Sequence, residues 1–223
     1  ANDPLNCGVC GNACTFPGGV AGCAESACRL TGCLDSYQDL DRDESNGCEY
    51  QCTFVSDEDE PDRECVGSSC DQNCDGIDGS YGDAVFVSAT GLAGASGAPY
   101  DPIGTIPEGI AKAQATGKPH VYVASGTYQG EVVLRAGVSV FGGYSNDGKW
   151  QRNLLLHKTI LSNQSGTTSV RVVIADGIIG VRTVLDGVHV VAGNNPNPGG
   201  SSYGIWVRAS DDQLVLQNLT AIG

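Results

Sequence analysis

The chain has 223 residues, 26 acidic against 12 basic side chains for a formal charge of −14, 32 glycines, 11 cysteines and no methionine. Such a balance argues against nucleic acid as a partner, because phosphate binding needs clustered Lys and Arg. No apolar run approaches the ~20 residues of a membrane-spanning helix, and the length allows one or two domains with a real core.

The averages hide a division near Asp83. Residues 1–83 hold 18 acids against three bases, Arg29, Arg42 and Arg63, a net charge of −15. Residues 84–223 hold 8 acids against 9 bases, a net charge of +1, and contain no cysteine. The sequence therefore predicts a cysteine-rich acidic domain over residues 1–82 and a second domain over residues 83–223.

The first domain carries Cys7, Cys10, Cys14, Cys23, Cys28, Cys33, Cys48, Cys52, Cys65, Cys70 and Cys74. Few large apolar side chains accompany them, so a disulfide framework is expected to supply the stability that a core cannot. Disulfides of this density belong to an oxidising compartment, which predicts a secreted or cell-surface protein. Zinc is the rival reading, since Cys7-x2-Cys10 is a metal-type pair, but no second pair follows and the segment has no His. Eleven is odd. At least one thiol is free, bridges to another chain, or pairs outside this sequence. The start at Ala1-Asn2-Asp3, without an initiator Met, reads as a processed or truncated product.

Two acidic stretches have the alternation that a calcium loop needs. Asp71-x-Asn73-x-Asp75-Gly76 fits the first half of the D-x-[DN]-x-[DN]-G loop. Ca2+ takes six to eight hard oxygens, and short acids at alternate positions of a turning chain aim theirs inward. Gly76 permits the turn, the Ile77 carbonyl is a further donor, and Asp78 or Asp83 closes the shell. Position twelve is Gly82 rather than Glu, so this is no complete EF-hand. Cys70 and Cys74 bracket the loop and are placed to pin it by disulfide. Asp39-x-Asp41-x-Asp43 with Glu49 is a weaker candidate that lacks the turn glycine. The run Asp57-Glu58-Asp59-Glu60 reads as a solvated linker face.

Asn6-Cys7-Gly8-Val9-Cys10-Gly11-Asn12-Ala13-Cys14, followed by Asn46-Gly47-Cys48-Glu49, resembles a repeat of exported and surface proteins of myxobacteria and related deltaproteobacteria. The stretch Cys70 to Gly79 resembles an Asp-Cys-Asp-Gly metal-binding motif of exported bacterial surface proteins, with Asn73 in place of its first Asp. These resemblances imply export and metal binding, and name no activity.

Beyond Asp83 short strands rich in Val, Ile, Leu, Ser and Thr are broken by Gly and Asn. One helix is predicted, from Pro107 to Thr116, with Ile106, Ile110 and Ala113 on its apolar side and Gly117 ending it. Gly137-Val138-Ser139-Val140-Phe141-Gly142-Gly143 recurs as Gly187-Val188-His189-Val190-Val191-Ala192-Gly193, and again near Asn218-Leu219. The intervals from Val138 to Ile160, Val188 and Leu219 predict a solenoid of stacked strands. Val138 and Val140 are expected inside and Ser139 outside. A β-sandwich is the alternative.

The segments Asp83–Ser88, Thr105–Ala111, His120–Tyr128 and Val140–Tyr144 resemble the start of a right-handed parallel β-helix of the pectate-lyase-like superfamily. The resemblance implies a mainly β protein whose helix caps the first coil. It implies little about function, since the fold carries lyases, hydrolases, adhesins and fibres. The eight acids of this domain form one adjacent pair, Asp211-Asp212, which reads as a turn. No hydrolase signature is found, and His120, His157 and His189 have no evident catalytic partner. Trp206 reads as half-buried on a strand. Arg135, Arg171, Arg182 and Arg208 are candidates for meeting an acidic polysaccharide. The chain stops at Gly223 within a repeat, so the native protein is expected to continue or another chain to cover that end. The expected function is a non-catalytic extracellular surface or structural protein. In it a calcium- and disulfide-stabilised β-helix serves adhesion, matrix or filament assembly, with self-association in prospect. The alternative is a polysaccharide lyase, hydrolase or carbohydrate-binding module with active coils beyond Gly223.

Overall fold

Cysteine does in the first eighty residues what large apolar side chains do in most domains. The structure, a computed structural model, describes residues 2–62, 70–163 and 169–222. It divides into two units. The described residues of the first are 2–60 and 70–80, and those of the second are 61–62, 81–163 and 169–222.

In the first unit β1 (Gly19–Ala24) and β2 (Ala27–Cys33) form an antiparallel hairpin. Its turn residues Glu25 and Ser26 have φ of 52° and 66°, the left-handed pair that a two-residue type I′ turn requires. Cys23 lies opposite Cys28 across the hairpin. Each is tied elsewhere, Cys23 to Cys7 and Cys28 to Cys14. Cys33 is bonded to Cys48. A short antiparallel ribbon, β3 (Tyr37–Gln38) with β4 (Tyr50–Gln51), leads to Cys52, which is bonded to Cys74. Among the described residues of this unit, the buried apolar side chains are cysteines and Ile77. Each bridge closes a loop of 14 to 22 residues, worth about 3 kcal/mol in the chain-entropy account.

Two cysteine expectations change. Cys74 is bonded to Cys52, so it does not clasp the acidic loop with Cys70. Cys10 carries an exposed thiol outside any disulfide, because its neighbour Cys7 reaches Cys23 while Cys10 stays on the surface turn. The zinc pair Cys7–Cys10 is thereby excluded. The sulfurs of Cys7, Cys14 and Cys28 do converge, but all three are in disulfides and have no thiolate to offer a metal. Cys70 is buried, and Cys65 lies outside the described residues.

The second unit is a parallel β-solenoid of three sheets. β5 (Ala84–Leu92) and the helix α1 (Ile106–Thr116) precede the regular coils. One coil consists of β6 (His120–Ala124), β7 (Gly126–Gln129) and β8 (Val132–Val133). The next consists of β9 (Ser139–Tyr144), β10 (Thr159–Asn163) and β11 (Ser169–Asp176). Then come β12 (Thr183–Asp186), β13 (Val188–Ala192) and β14 (Ser201–Arg208), and finally β15 (Leu214–Gln217) and β16 (Thr220–Ile222). The sheets stack as β5-β6-β9-β12-β15, β7-β10-β13-β16 and β8-β11-β14. Inward valines and leucines from all three, among them Val121, Val140, Leu161, Val173 and Val190, form one core.

Helix α1 begins where its sequence says it should. The Thr105 hydroxyl accepts the Glu108 N–H, and Gly117 ends the helix in the left-handed conformation. Ile106, Ile110 and Ala113 join the core. Gly109 sits so close to Val87 that a Cβ there would meet its methyl at 2.4 Å. The helix thus seals the end of the stack at β5, where the Lys118 ammonium also donates to the Ala84 carbonyl at 2.8 Å.

The repeat differs from its expected form. Val140 on β9 stacks between Val121 and Leu185 in the first sheet, whereas Val190 on β13 stacks on Leu161 in the second. The two Gly-Val-x-Val copies therefore occupy different columns. In the second sheet the column runs Thr127, Ile160, His189, Thr220. The motif recurs because both strands leave a corner glycine, Gly137 or Gly187, and turn alternate residues inward, whichever sheet each joins.

Ser139 is buried rather than exposed, because the outer face of the first sheet is covered as well. Ser125 and Gly187 each fill the first corner of their coil alone, but in the coil between them that corner holds residues 145–158. This insertion folds over a column that the register builds: Phe86, Tyr122, Phe141, Asp186 and Gln217. Trp150 is buried with its ring centroid 4.8 Å from that of Phe86, and its Nε1 donates to the Pro99 carbonyl at 3.1 Å. Tyr144 stacks on Tyr122 at 4.8 Å. Arg152 is 0% exposed and lies 3.0 Å from Asp186. Its Nε donates to the Gly142 carbonyl at 2.8 Å, and its Nη1 to the carbonyls of Pro61 and Asp62 at 3.0 Å each. Asp186 also accepts from Gln217 Nε2 and Asn218 Nδ2 at 3.2 and 2.7 Å. Gly187 makes room for this pair: its φ is 70°, and a Cβ would stand 2.7 Å from the guanidinium.

Candidate metal centre

The Cys52–Cys74 bridge fastens the middle of the first unit's acidic loop to the end of the ribbon. Gly76 has φ of 94° and packs on Leu40, whose methyl would meet a Cβ at 2.7 Å. The backbone consequently wraps Asp71. Asp71 Oδ1 accepts from the Asp75 N–H at 3.1 Å, and Oδ2 from the Gly76 N–H at 2.8 Å and the Tyr50 hydroxyl at 2.7 Å. Asn73 Oδ1 accepts from the same Asp75 N–H at 3.0 Å, while its amide donates to Asp75 Oδ2 at 3.1 Å. Asp75 Oδ1 accepts from Ile77 N–H at 3.3 Å. Asp71, Ile77 and Asp78 are buried, and Asn73 and Asp75 half-buried.

The carboxylate that spacing did not nominate is Asp59. In the run Asp57–Glu60 three acids are exposed as expected of a solvated face, but Asp59 is 4% exposed. Its Oδ2 accepts from Gln72 N–H at 3.2 Å and Gly79 N–H at 3.3 Å, one at each end of the loop. Its Oδ1 is buried with no hydrogen-bond partner. Burial pushes the carboxyl up to about 6, helped by the charges of Asp71 and Asp75, against the lowering effect of the two N–H donors. Nothing in the local sequence separates Asp59 from its acidic neighbours. The signal is a contact thirteen and twenty residues away.

The second candidate behaves differently. Among the described residues, one carboxylate oxygen each from Asp39, Asp41 and Glu49 converge within 4.8 Å. Asp39 is half-buried and the other two are exposed. Asp43 is absent from the group: its carboxyl accepts from Ser45, whose hydroxyl and N–H hold it below the ordinary carboxylate range. The carboxylates of the 71–78 loop form no triple as tight as this one. What distinguishes that loop is the depth of its acids, while its donor set, like that of the second candidate, is all oxygen. Such a set suits a hard divalent cation such as Ca2+ rather than zinc or copper.

The second unit places its polar residues in structural work. His120 packs against Phe141 and meets the Tyr122 hydroxyl at 3.2 Å. His189 is half-buried, with Lys158 nearby, and burial first and that charge second lower its pKa. Asp211 accepts from Gly180 and Gln213 N–H groups at 2.9 and 3.0 Å and so holds a turn. Trp206 is half-buried, and its ring lies between guanidinium carbons of Arg171 and Arg208 at 4.4 and 5.2 Å. Arg208 is itself paired with Asp176 at 2.6 Å. The Trp206 ring is therefore not a bare stacking platform.

Among the described residues no helix is long and apolar enough to cross a membrane. In comparisons with protein-family models, curated proteins and solved structures, nothing matches the chain.

Proposed function

We propose that this chain is a non-catalytic structural protein of an extracellular or cell-surface setting, serving adhesion, matrix building or filament assembly. Its head is stapled by disulfides and stabilised by Ca2+ bound at Asp71, Asn73, Asp75, the Ile77 carbonyl and Asp78, with Asp39, Asp41 and Glu49 as a secondary site. The observation that carries this reading is the joining, in one chain, of four disulfides with a parallel solenoid. Disulfides endure only in oxidising compartments, and a solenoid provides length and lateral surface from a repeated unit. The resemblances to myxobacterial exported proteins and to right-handed pectate-lyase-like β-helices support the same assignment.

Two measurements test it. Incubation with pectin, alginate and related acidic polymers is expected to release no unsaturated or reducing ends. Release of either overturns the structural reading in favour of a lyase or hydrolase. Chelation is expected to lower the melting temperature of the first unit and open it to protease. If neither changes and mass spectrometry finds no bound metal, calcium has no part in the head.

A further inference from the structure

We propose that Asp59 is a cation ligand that closes the Asp71–Asp78 loop from outside it, through its Oδ1 atom. The proposal rests on the cation reading of that loop and adds a ligand to it.

Three observations carry it. The side chain is 4% exposed, so water does not freely solvate it. Its carboxylate is held in place by the N–H groups of Gln72 and Gly79, which flank the loop on both sides. Both donors serve Oδ2, and Oδ1 is left buried with no partner. A buried anionic oxygen without a donor is costly, and proteins relieve it by pairing, protonation or a metal. Among the described residues no ion pair includes Asp59. The charges that reach it are Asp71 and Asp75, which repel it. A divalent cation satisfies Oδ1 and neutralises the neighbouring carboxylates together. Oxygen is the donor atom of Asp59, Asp71, Asn73 and Asp75 alike, which suits a hard divalent cation such as Ca2+.

The arrangement ties two parts of the chain through one ion. A ligand twelve residues before Asp71 means that binding fastens the segment at Asp59 to the loop, and not the loop alone.

The test is calorimetric titration of CaCl2 into the whole oxidised chain in metal-free buffer. The wild type is compared with Asp59→Asn, Asp75→Asn and, as a charge-matched control, the exposed Asp57→Asn. The expected result is a site whose affinity falls at least tenfold in Asp59→Asn and in Asp75→Asn but not in Asp57→Asn. If the wild type binds no calcium, the cation reading of the loop fails, and this proposal with it. If Asp75→Asn loses binding while Asp59→Asn keeps full affinity, the loop binds calcium and a buried water alone satisfies Oδ1. That outcome overturns only the present proposal. Should Asp59→Asn fail to fold, the carboxyl 13C resonance of Asp59 in the wild type decides. It must shift on calcium addition, and an unmoved resonance at saturation overturns the assignment.

Discussion

Arg152 and Asp186 show how much a single residue here depends on a distant one. Both are buried, 3.0 Å apart, and each makes further hydrogen bonds, Arg152 donating through Nε and Nη1 and Asp186 accepting from Gln217 and Asn218. Removing one member strands a charge. Asp186→Ala is expected to cost the second unit about 3–5 kcal/mol, whereas joint replacement by Met and Leu costs far less. Denaturant unfolding of the two variants checks the difference. Asp59 obeys the opposite sign rule from a paired acid. Its folded pKa is raised to about 6 from 3.8, so between those values the folded state holds the extra proton and gains stability as pH falls. Above about pH 6 the full cost of the buried charge, facing Asp71 and Asp75, is expressed. With chelator present, the melting temperature of the first unit should therefore rise between pH 7 and pH 5, and rise less in Asp59→Asn. At this scale the sequence disclosed the residues whose role follows from local spacing, such as Asp71, Asn73, Asp75 and Gly76. It concealed Asp59 and Arg152, whose partners lie tens of residues away or come from backbone carbonyls with no sequence identity.

Elements were easier to read than their arrangement. Helix α1 was marked by Pro107 and Gly117, and begins one residue before its predicted start. The strands followed from alternation and glycine. Which strand stacks on which did not follow, because β9 and β13 carry the same motif for the same reason on different sheets. The corner insertion at residues 145–158 also escaped notice, since its apolar and polar residues have no period. It nonetheless lies over a sheet face on which Phe86, Tyr122, Phe141 and Asp186 are buried and Gln217 is exposed. Trp150→Ala should destabilise the second unit by about 3–5 kcal/mol, read from its unfolding midpoint. In the first unit the Cys52–Cys74 bridge fixes the middle of the acidic loop against the ribbon. Replacing both cysteines by Ala should weaken calcium binding by calorimetry even where the hairpin β1–β2 keeps its three other bridges.

At the scale of the whole molecule, two units rely on different chemistry. One buries cysteines and few other apolar groups, while the other buries a continuous array of Val, Ile and Leu. A reducing agent should therefore separate them. Limited proteolysis after dithiothreitol is expected to cut within residues 2–60 and 70–80 and to spare the core strands of the second unit. Loss of both units together would show that the solenoid depends on the head. The column Phe86–Tyr122–Phe141–Asp186–Gln217 has a wider bearing. A residue of the solenoid has two coordinates, a column and a coil, as a cell in a woven fabric has warp and weft. Its true neighbours are the same column one coil above and below, so linear order is the wrong map for choosing substitutions. Variants made as whole columns, such as an aromatic exchanged at Tyr122 with a matching change at Phe86 and Phe141, respect that weave. Variants made along a single strand cut across it.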